Sequence, residues 1–285
     1  MSPNDTIDPV LVGVDGSKAS LNAVLWAIDE AVSRDVPLRV IHVIDPKAES
    51  TGHSRDVDYG MLSSEEVLNA ANAMVKATGR AVEVQTSARR GDVATELVAE
   101  STVAQMICLG SVGIGRMARR LLGSTAASLA THAHCPVAVI RSVDDALPTD
   151  DRIAVVVDAE PGNDAVVQFA LEEARLRNAA LVALGAWRWD FGAMPYEELD
   201  QRLSAWLPRY PDVLVSLCAA ASGVVAYLAD MESQVDLVVI GDASGDQVAS
   251  LVGPPTRPLR PHPDCSVLVV HPSRRWRGGP QWFGD

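Results

Sequence analysis

Short apolar runs alternate with longer amphipathic stretches along most of the chain. Val10 to Val14 (VLVGV) is apolar throughout and stops at Asp15-Gly16-Ser17. A run without polar alternation, bounded by turn residues, is the pattern of a strand buried on both faces. Residues 18–34 then place Ala19, Ala23, Trp26, Ala27 and Ala31 at helical spacing. Pro37 breaks the chain, and Leu38 to Ile44 reads as the next strand. Residues 45–60 are polar, hold Pro46, Gly52 and Gly60, and read as an exposed loop. Ser63 or Ser64 caps a helix to about Ala77, which Gly79 ends. Ala81 to Thr86 alternates as a strand, and Gly91-Asp92 opens a helix to about Val103. The strand Ala104–Leu109 leads into a glycine-rich loop, followed by a helix to about Ala133 and a strand Pro136–Ile140. Strands alternating with helices predict an α/β unit with a parallel sheet.

The pattern then restarts. Residues 141–151 are polar, hold Pro148 and read as a linker. Arg152 to Asp158 repeats Val10 to Asp15, Ala165 to Arg177 repeats the first helix, and Ala180 to Trp187 repeats the second strand. Leu237-Val-Val-Ile-Gly241 repeats Met106 to Gly110, and Cys265 to Val270 repeats Cys135 to Ile140. The shift is 143 residues at Asp15/Asp158, 131 at Gly110/Gly241 and 130 at Cys135/Cys265. A shorter loop after the second strand accounts for the change. Two copies of one fold follow, residues 1–145 and 146–285.

Composition narrows the function. With 24 Lys and Arg against 37 Asp and Glu, the net charge of −13 argues against nucleic acid as a general partner. No run of eighteen apolar residues is present, so no membrane span is expected, and Met1 to Asp5 lacks a charged-then-apolar leader. A cytoplasmic protein is the expectation. Cys108, Cys135, Cys218 and Cys265 show no paired spacing and each sits in or beside an apolar run, which predicts buried reduced thiols. His132-Ala-His134-Cys135 offers metal-ligand types at one helix end, but no second cluster completes a tetrahedron, so no metal site is assigned.

The chemistry concentrates between Gly110 and Thr125. Gly110, Gly113, Gly115 and Gly123 punctuate the loop, Ser124 and Thr125 follow the last of them, and Arg116, Arg119 and Arg120 lie inside it. Glycines at a strand end let backbone N–H groups approach an anion. Hydroxyls at a helix start add donors and the positive end of the helix dipole. A basic loop in an acidic chain suits a small anion such as a polyphosphate. The same features also serve as a plain turn and an N-cap.

The spacing Gly110-x2-Gly113-x9-Gly123-Ser124 resembles the nucleotide-binding signature of the universal stress protein family. Val12-Gly13-Val14-Asp15-Gly16-Ser17, Gly91 and His132-Ala-His-Cys-Pro-Val137 extend the resemblance, which covers nearly the whole chain. It implies two tandem Rossmann-like domains of the adenine nucleotide alpha hydrolase-like type. Each would be a five-stranded parallel sheet flanked by helices, with strand order reversing between the first and fourth strands. Ligands in such sheets bind outside the carboxyl ends of strands at the reversal. The resemblance implies an ATP site, with Mg2+ as a possible companion, at Gly13, Asp15, Val43, Gly110, Gly113, Arg116, Gly123, Ser124 and Thr125. Asp15 would contact the nucleoside, backbone near Val43 the adenine, and the glycine loop with Ser124 the phosphates. An ionised aspartate only accepts, so Asp15 suits a ribose hydroxyl or an amino group; it suits a helix cap equally well. Family domains pair through their last strands, which implies Pro136–Ile140 meeting Ser266–Val270 and leaves room for a homodimer.

The second copy departs from this pattern. Ser244 stands where the second glycine belongs, Pro254 replaces the hydroxyl residue, and Asp242 and Asp246 replace the basic ones. Prolines follow at 255, 258, 261 and 263, each costing about 3 kcal/mol inside a helix. The last helix of this copy is expected to be lost or shortened, and nucleotide binding with it; Asp158 remains as a vestige or a cap. The tail after Ser273 carries Trp276, Trp282 and Phe283 among Gly and Pro, for packing on its own domain or docking a second subunit. No G-x4-G-K-[ST] loop occurs and no catalytic residue is assigned. The competing functions are a regulatory ATP-binding protein, a slow ATP hydrolase, a dinucleotide oxidoreductase using Gly113-x-Gly115-x2-Ala118, and a scaffold with both sites empty.

Overall fold

The computed structural model describes residues 7–46, 64–111, 122–141, 152–160, 162–186, 194–230, 235–252 and 265–271. These fall into two compact units, one built on residues 7–111 and 123–141 and the other on residues 152–271. Most of the 45–60 loop, most of the 141–151 linker, Gly113, Arg116, the prolines from 254 to 263 and the aromatic tail lie outside the described residues.

In the first unit β1 (Val10–Gly13), β2 (Leu38–Ile44), β3 (Val84–Arg90), β4 (Met106–Gly110) and β5 (Val137–Ile140) form a parallel sheet in the order β3-β2-β1-β4-β5. The order reverses between β1 and β4, which the tandem Rossmann-like fold requires. The helices are α1 (Lys18–Ser33), α2 (Ser64–Ala77), α3 (Val93–Glu100) and α4 (Ser124–His132). Their starts are chemically specified: Ser17 caps α1 by accepting from the Ser20 N–H, and Asp92 caps α3 by accepting from the Thr95 N–H. Ala19, Ala23, Ala27 and Ala31 are buried on the sheet-facing stripe of α1, while Trp26 is only half-buried. Small side chains let this helix lie close over β1 and β4.

The second unit repeats this. β6 (Arg152–Val157), β7 (Ala180–Gly185), β8 (Val215–Ala219), β9 (Leu237–Gly241) and β10 (Ser266–Val270) are parallel in the order β8-β7-β6-β9-β10. Its helices are α5 (Asn163–Arg177), α6 (Tyr196–Ser204), α7 (Val224–Asp230) and α8 (Val248–Val252). Duplication reaches fine detail. Buried Glu30 pairs with Arg34 at 2.9 Å, and buried Glu173 pairs with Arg177 at 3.1 Å, 143 residues on. Asp35 and Asn178 both take φ 52° just past the helix, the left-handed conformation that ends helices and that short polar side chains tolerate.

Several sequence expectations shift. The third strand runs over Val84–Arg90 rather than Ala81–Thr86, because pairing with β2 from Leu38 to Ile44 sets its length. The fourth begins at Met106 rather than Ala104. The helix expected to reach Val103 tightens into a 3-10 turn at Ser101–Val103. All four cysteines are free; Cys108, Cys135 and Cys265 are buried, but Cys218 is half-buried on β8, where its Sγ accepts from the Tyr227 hydroxyl at 2.8 Å. No described helix is long and apolar enough to cross a membrane.

Candidate functional site

The carboxyl ends of β1, β2 and β4 lie side by side, since Gly13 is in register with Ile41 on one flank and Leu109 on the other. Residues just past these ends therefore converge. Asp15 follows β1 and is part-buried. Its Oδ1 accepts from the Ser17 N–H at 2.9 Å, and its own N–H donates to Ser20 Oγ at 3.4 Å. Asp15 thus shapes the turn while Ser17 caps the helix, and Gly16 between them takes φ 84°, which glycine adopts without strain. The turn holds the Asp15 carboxylate at the mouth of the reversal.

Gly110 ends β4. A Cβ built there would lie 2.7 Å from the Ala19 carbonyl carbon and 2.7 Å from the Ser20 nitrogen. The first turn of α1 presses directly onto this position, which gives Gly110 a packing reason beside any role toward an anion. A Cβ on Gly13 would meet Leu97 at 3.2 Å, so this glycine makes room for α3. Beyond Gly110, buried Ser111 donates its N–H to the Ile140 carbonyl at 2.8 Å and accepts at its carbonyl from the Gly123 N–H at 2.9 Å. That second bond docks the start of α4 against the end of β4. Gly123 caps α4 and, lacking a side chain, makes no cap bond to the first-turn N–H groups. Ser124 is exposed and Thr125 half-buried on that turn. Of the expected site residues, the structure gathers Gly13, Asp15, Val43, Gly110, Gly123, Ser124 and Thr125 at one edge of the sheet. Gly113 and Arg116 lie outside the described residues.

Sequence reasoning missed His42, whose Nδ1 lies 2.7 Å from the Val14 carbonyl. A carbonyl only accepts, so Nδ1 carries the proton here. The signal was present: a lone ring with polar nitrogens inside an otherwise apolar stretch of β2. Ser20 and Ser111 were also missed, each buried and each holding backbone at the mouth.

The metal-ligand types at 132–135 are not clustered with one another among the described residues. No group of three His, Cys, Asp or Glu that could hold a metal occurs among the described residues. His132 is exposed and bonds back to the Ser128 carbonyl at 2.9 Å. Burial pushes the Cys135 thiol up to about 12, which keeps it protonated.

The corresponding edge of the second unit is built differently. Asp158 Oδ1 accepts from the Glu160 N–H at 3.0 Å, the same turn as at Asp15. Desolvation raises its pKa above the ordinary carboxylate value, against the lowering effect of that hydrogen bond. After Gly241 the chain makes a 3-10 turn over Asp242–Gln247 and then α8, burying Ser244, Val248, Leu251 and Val252. Cys265 ties this segment down through N–H and Sγ contacts to the Leu251 carbonyl at 3.5 and 3.6 Å. On the other flank a Cβ at Gly185 would meet Leu199 at 3.0 Å and Met194 at 3.2 Å.

A family model described as the universal stress protein family matches residues 6–141. A universal stress protein of Mycobacterium tuberculosis strain H37Rv is 43% identical over 266 residues, covering 93% of this chain and 97% of its own length. A second universal stress protein of that strain is 35% identical over 268 residues, covering 92% and 95%. Among solved structures, a universal stress protein from Archaeoglobus fulgidus DSM 4304 is similar with a TM-score of 0.62 at 17% identity, over 93% of this chain and 96% of that one. At that identity the likeness concerns the fold.

Proposed function

The chain belongs to the universal stress protein family, and from that premise we propose that it serves the stress response by binding ATP in its first domain, residues 1–145. The second domain, residues 146–285, is assigned no nucleotide. One observation carries the reading: the Gly123 N–H bond to the Ser111 carbonyl at 2.9 Å sets the start of α4 beside the end of β4. Gly123 supplies no side-chain cap there. Such a helix start, whose cap residue offers no side chain, favours an anion through both donors and dipole. Ser124 and Thr125 add hydroxyl donors on the same turn, and Gly113 and Arg116 stand between Ser111 and Gly123 in the sequence. Asp15 at the neighbouring strand end is an acceptor suited to ribose, and Val43 offers backbone to the base.

In the second domain the segment after Gly241 buries Ser244, Val248, Leu251 and Val252, and Asp242 and Asp246 oppose an anion. The reading is of binding that biases conformation or assembly; it calls for no catalytic group. Mg2+ would enter with the phosphates rather than through a protein metal site.

The test is mass spectrometry of small molecules released from the denatured protein after incubation with ATP and gel filtration. Retained ATP is expected, and Ser124→Ala should weaken its binding by about three- to tenfold, the loss of one hydrogen bond. Recovery of a nicotinamide or flavin dinucleotide, or of nothing, would overturn the reading.

A further inference from the structure

We propose that His42 is a positioning residue that keeps the Val43 amide open to a purine base, by taking the Val14 carbonyl with which that amide would otherwise pair. The proposal rests on the ATP reading above, in which Val43 meets the base, and adds the residue that keeps its amide free. Its basis is a rung of the sheet present in one half of the chain and missing in the other.

In a parallel ladder each carbonyl on one strand accepts from an amide on its neighbour at regular spacing. The second half obeys this to the end of β6. Val157 is in register with Gly185, and the Ala186 N–H donates to the Val157 carbonyl at 3.0 Å. The residues 143 positions earlier are Val14, His42 and Val43. There the register stops one residue sooner, at Gly13 and Ile41. The strands have not separated, since the Val14 N–H still donates to the Ile41 carbonyl at 2.9 Å. Only the next rung is lost, and the Val14 carbonyl receives the His42 Nδ1–H at 2.7 Å in its place. The Val43 amide does not donate to the Val14 carbonyl.

The second half could not copy this device. Gly185 holds the position of His42, and Leu199 and Met194 fill the space any Cβ would need. With no ring to occupy the Val157 carbonyl, the Ala186 amide closes onto it.

Strand geometry points the N–H and C=O of Val43 the same way, toward the end of β1 beside Asp15. A donor and an acceptor on one residue complement the edge of adenine, which offers N1 as acceptor and the 6-amino group as donor. Hypoxanthine presents the opposite pattern, N1–H and a carbonyl. The site should therefore prefer ATP to ITP, and His42 should set that preference without touching the phosphates.

The test combines amide hydrogen exchange with binding of ATP, ITP and inorganic tripolyphosphate to the full chain. In the nucleotide-free protein Val43 should exchange fast and Ala186 slowly, and ATP should slow Val43. His42→Gly should slow Val43 without nucleotide and weaken ATP about tenfold. It should also level the ATP-to-ITP preference while leaving tripolyphosphate affinity unchanged. His42→Asn should restore both, because its side-chain amide can donate where Nδ1 does. Should His42→Gly fail to fold, His42→Ala and the wild-type contrast between Val43 and Ala186 decide the matter. A protected Val43 amide in the free wild type, or an intact ATP-to-ITP preference in the glycine or alanine variant, would overturn the proposal. Wild type that binds neither ATP nor tripolyphosphate would overturn the nucleotide reading and the base-reading role with it.

Discussion

Gly110 and Gly241 occupy the same place in the two halves yet meet different neighbours. A methyl group on Gly110 would collide with helix backbone at 2.7 Å, whereas on Gly241 it would meet only Val166 Cγ2 at 3.5 Å. Backbone cannot step aside as a flexible side chain can. Gly110→Ala is therefore expected to destabilise the protein by about 1–3 kcal/mol, and Gly241→Ala to leave stability within about 0.5 kcal/mol. Urea unfolding midpoints of the two variants check this, and equal shifts would contradict it. This pair also marks what residues alone convey. The glycine spacing was visible in the sequence, but its cause was not: nothing in the string says that α1 lies on Gly110. His42 was visible as a polar ring in β2, but its partner was not, because the bond that matters joins a side chain to a carbonyl 28 positions away.

At the scale of elements, legibility followed burial. The inner strands β1, β4 and β5 and their repeats were read from apolar runs, and β2 from a mainly apolar run that holds Arg39 and His42. Of the edge strands, β3 was read with shifted bounds, Ala81–Thr86 for Val84–Arg90, and β8 was not marked. β3 is largely polar (VQTSARR) and exists because β2 offers it hydrogen bonds; β8 is half-exposed and its alternation is weak. Helices α6 and α7 lie in the most diverged part of the repeat and were not marked at all. The junction between β6 and α5 carries a prediction. Asp158 closes its turn, Arg202 of α6 donates to its carbonyl at 3.0 Å, and burial raises its carboxyl pKa. A carboxyl with a higher pKa folded than unfolded adds stability that is complete below its unfolded value and disappears as pH rises through the folded one. Asp158→Asn keeps the turn's acceptor and removes this titration. Its stability relative to wild type should rise from about pH 3 upward, as followed by thermal unfolding at several pH values, and a difference independent of pH would contradict the assignment.

The whole molecule is a duplication whose halves have kept their frame and diverged at the mouth. Paired Glu and Arg on the first helix, the left-handed residue after it and the aspartate turn recur 143 residues apart. The strand ends do not. Among the described residues, one half has a helix start whose cap residue offers no side chain and an amide unpaired with its neighbour strand; the other has a 3-10 turn and a short helix after β9 and a completed ladder. Isothermal titration of the nucleotide-free protein with ATP tests this asymmetry most directly. The account predicts one ATP per chain, abolished or strongly weakened by Asp15→Ala and unaffected by Asp158→Ala. Two equivalents per chain, or one that Asp158→Ala removes, would contradict it.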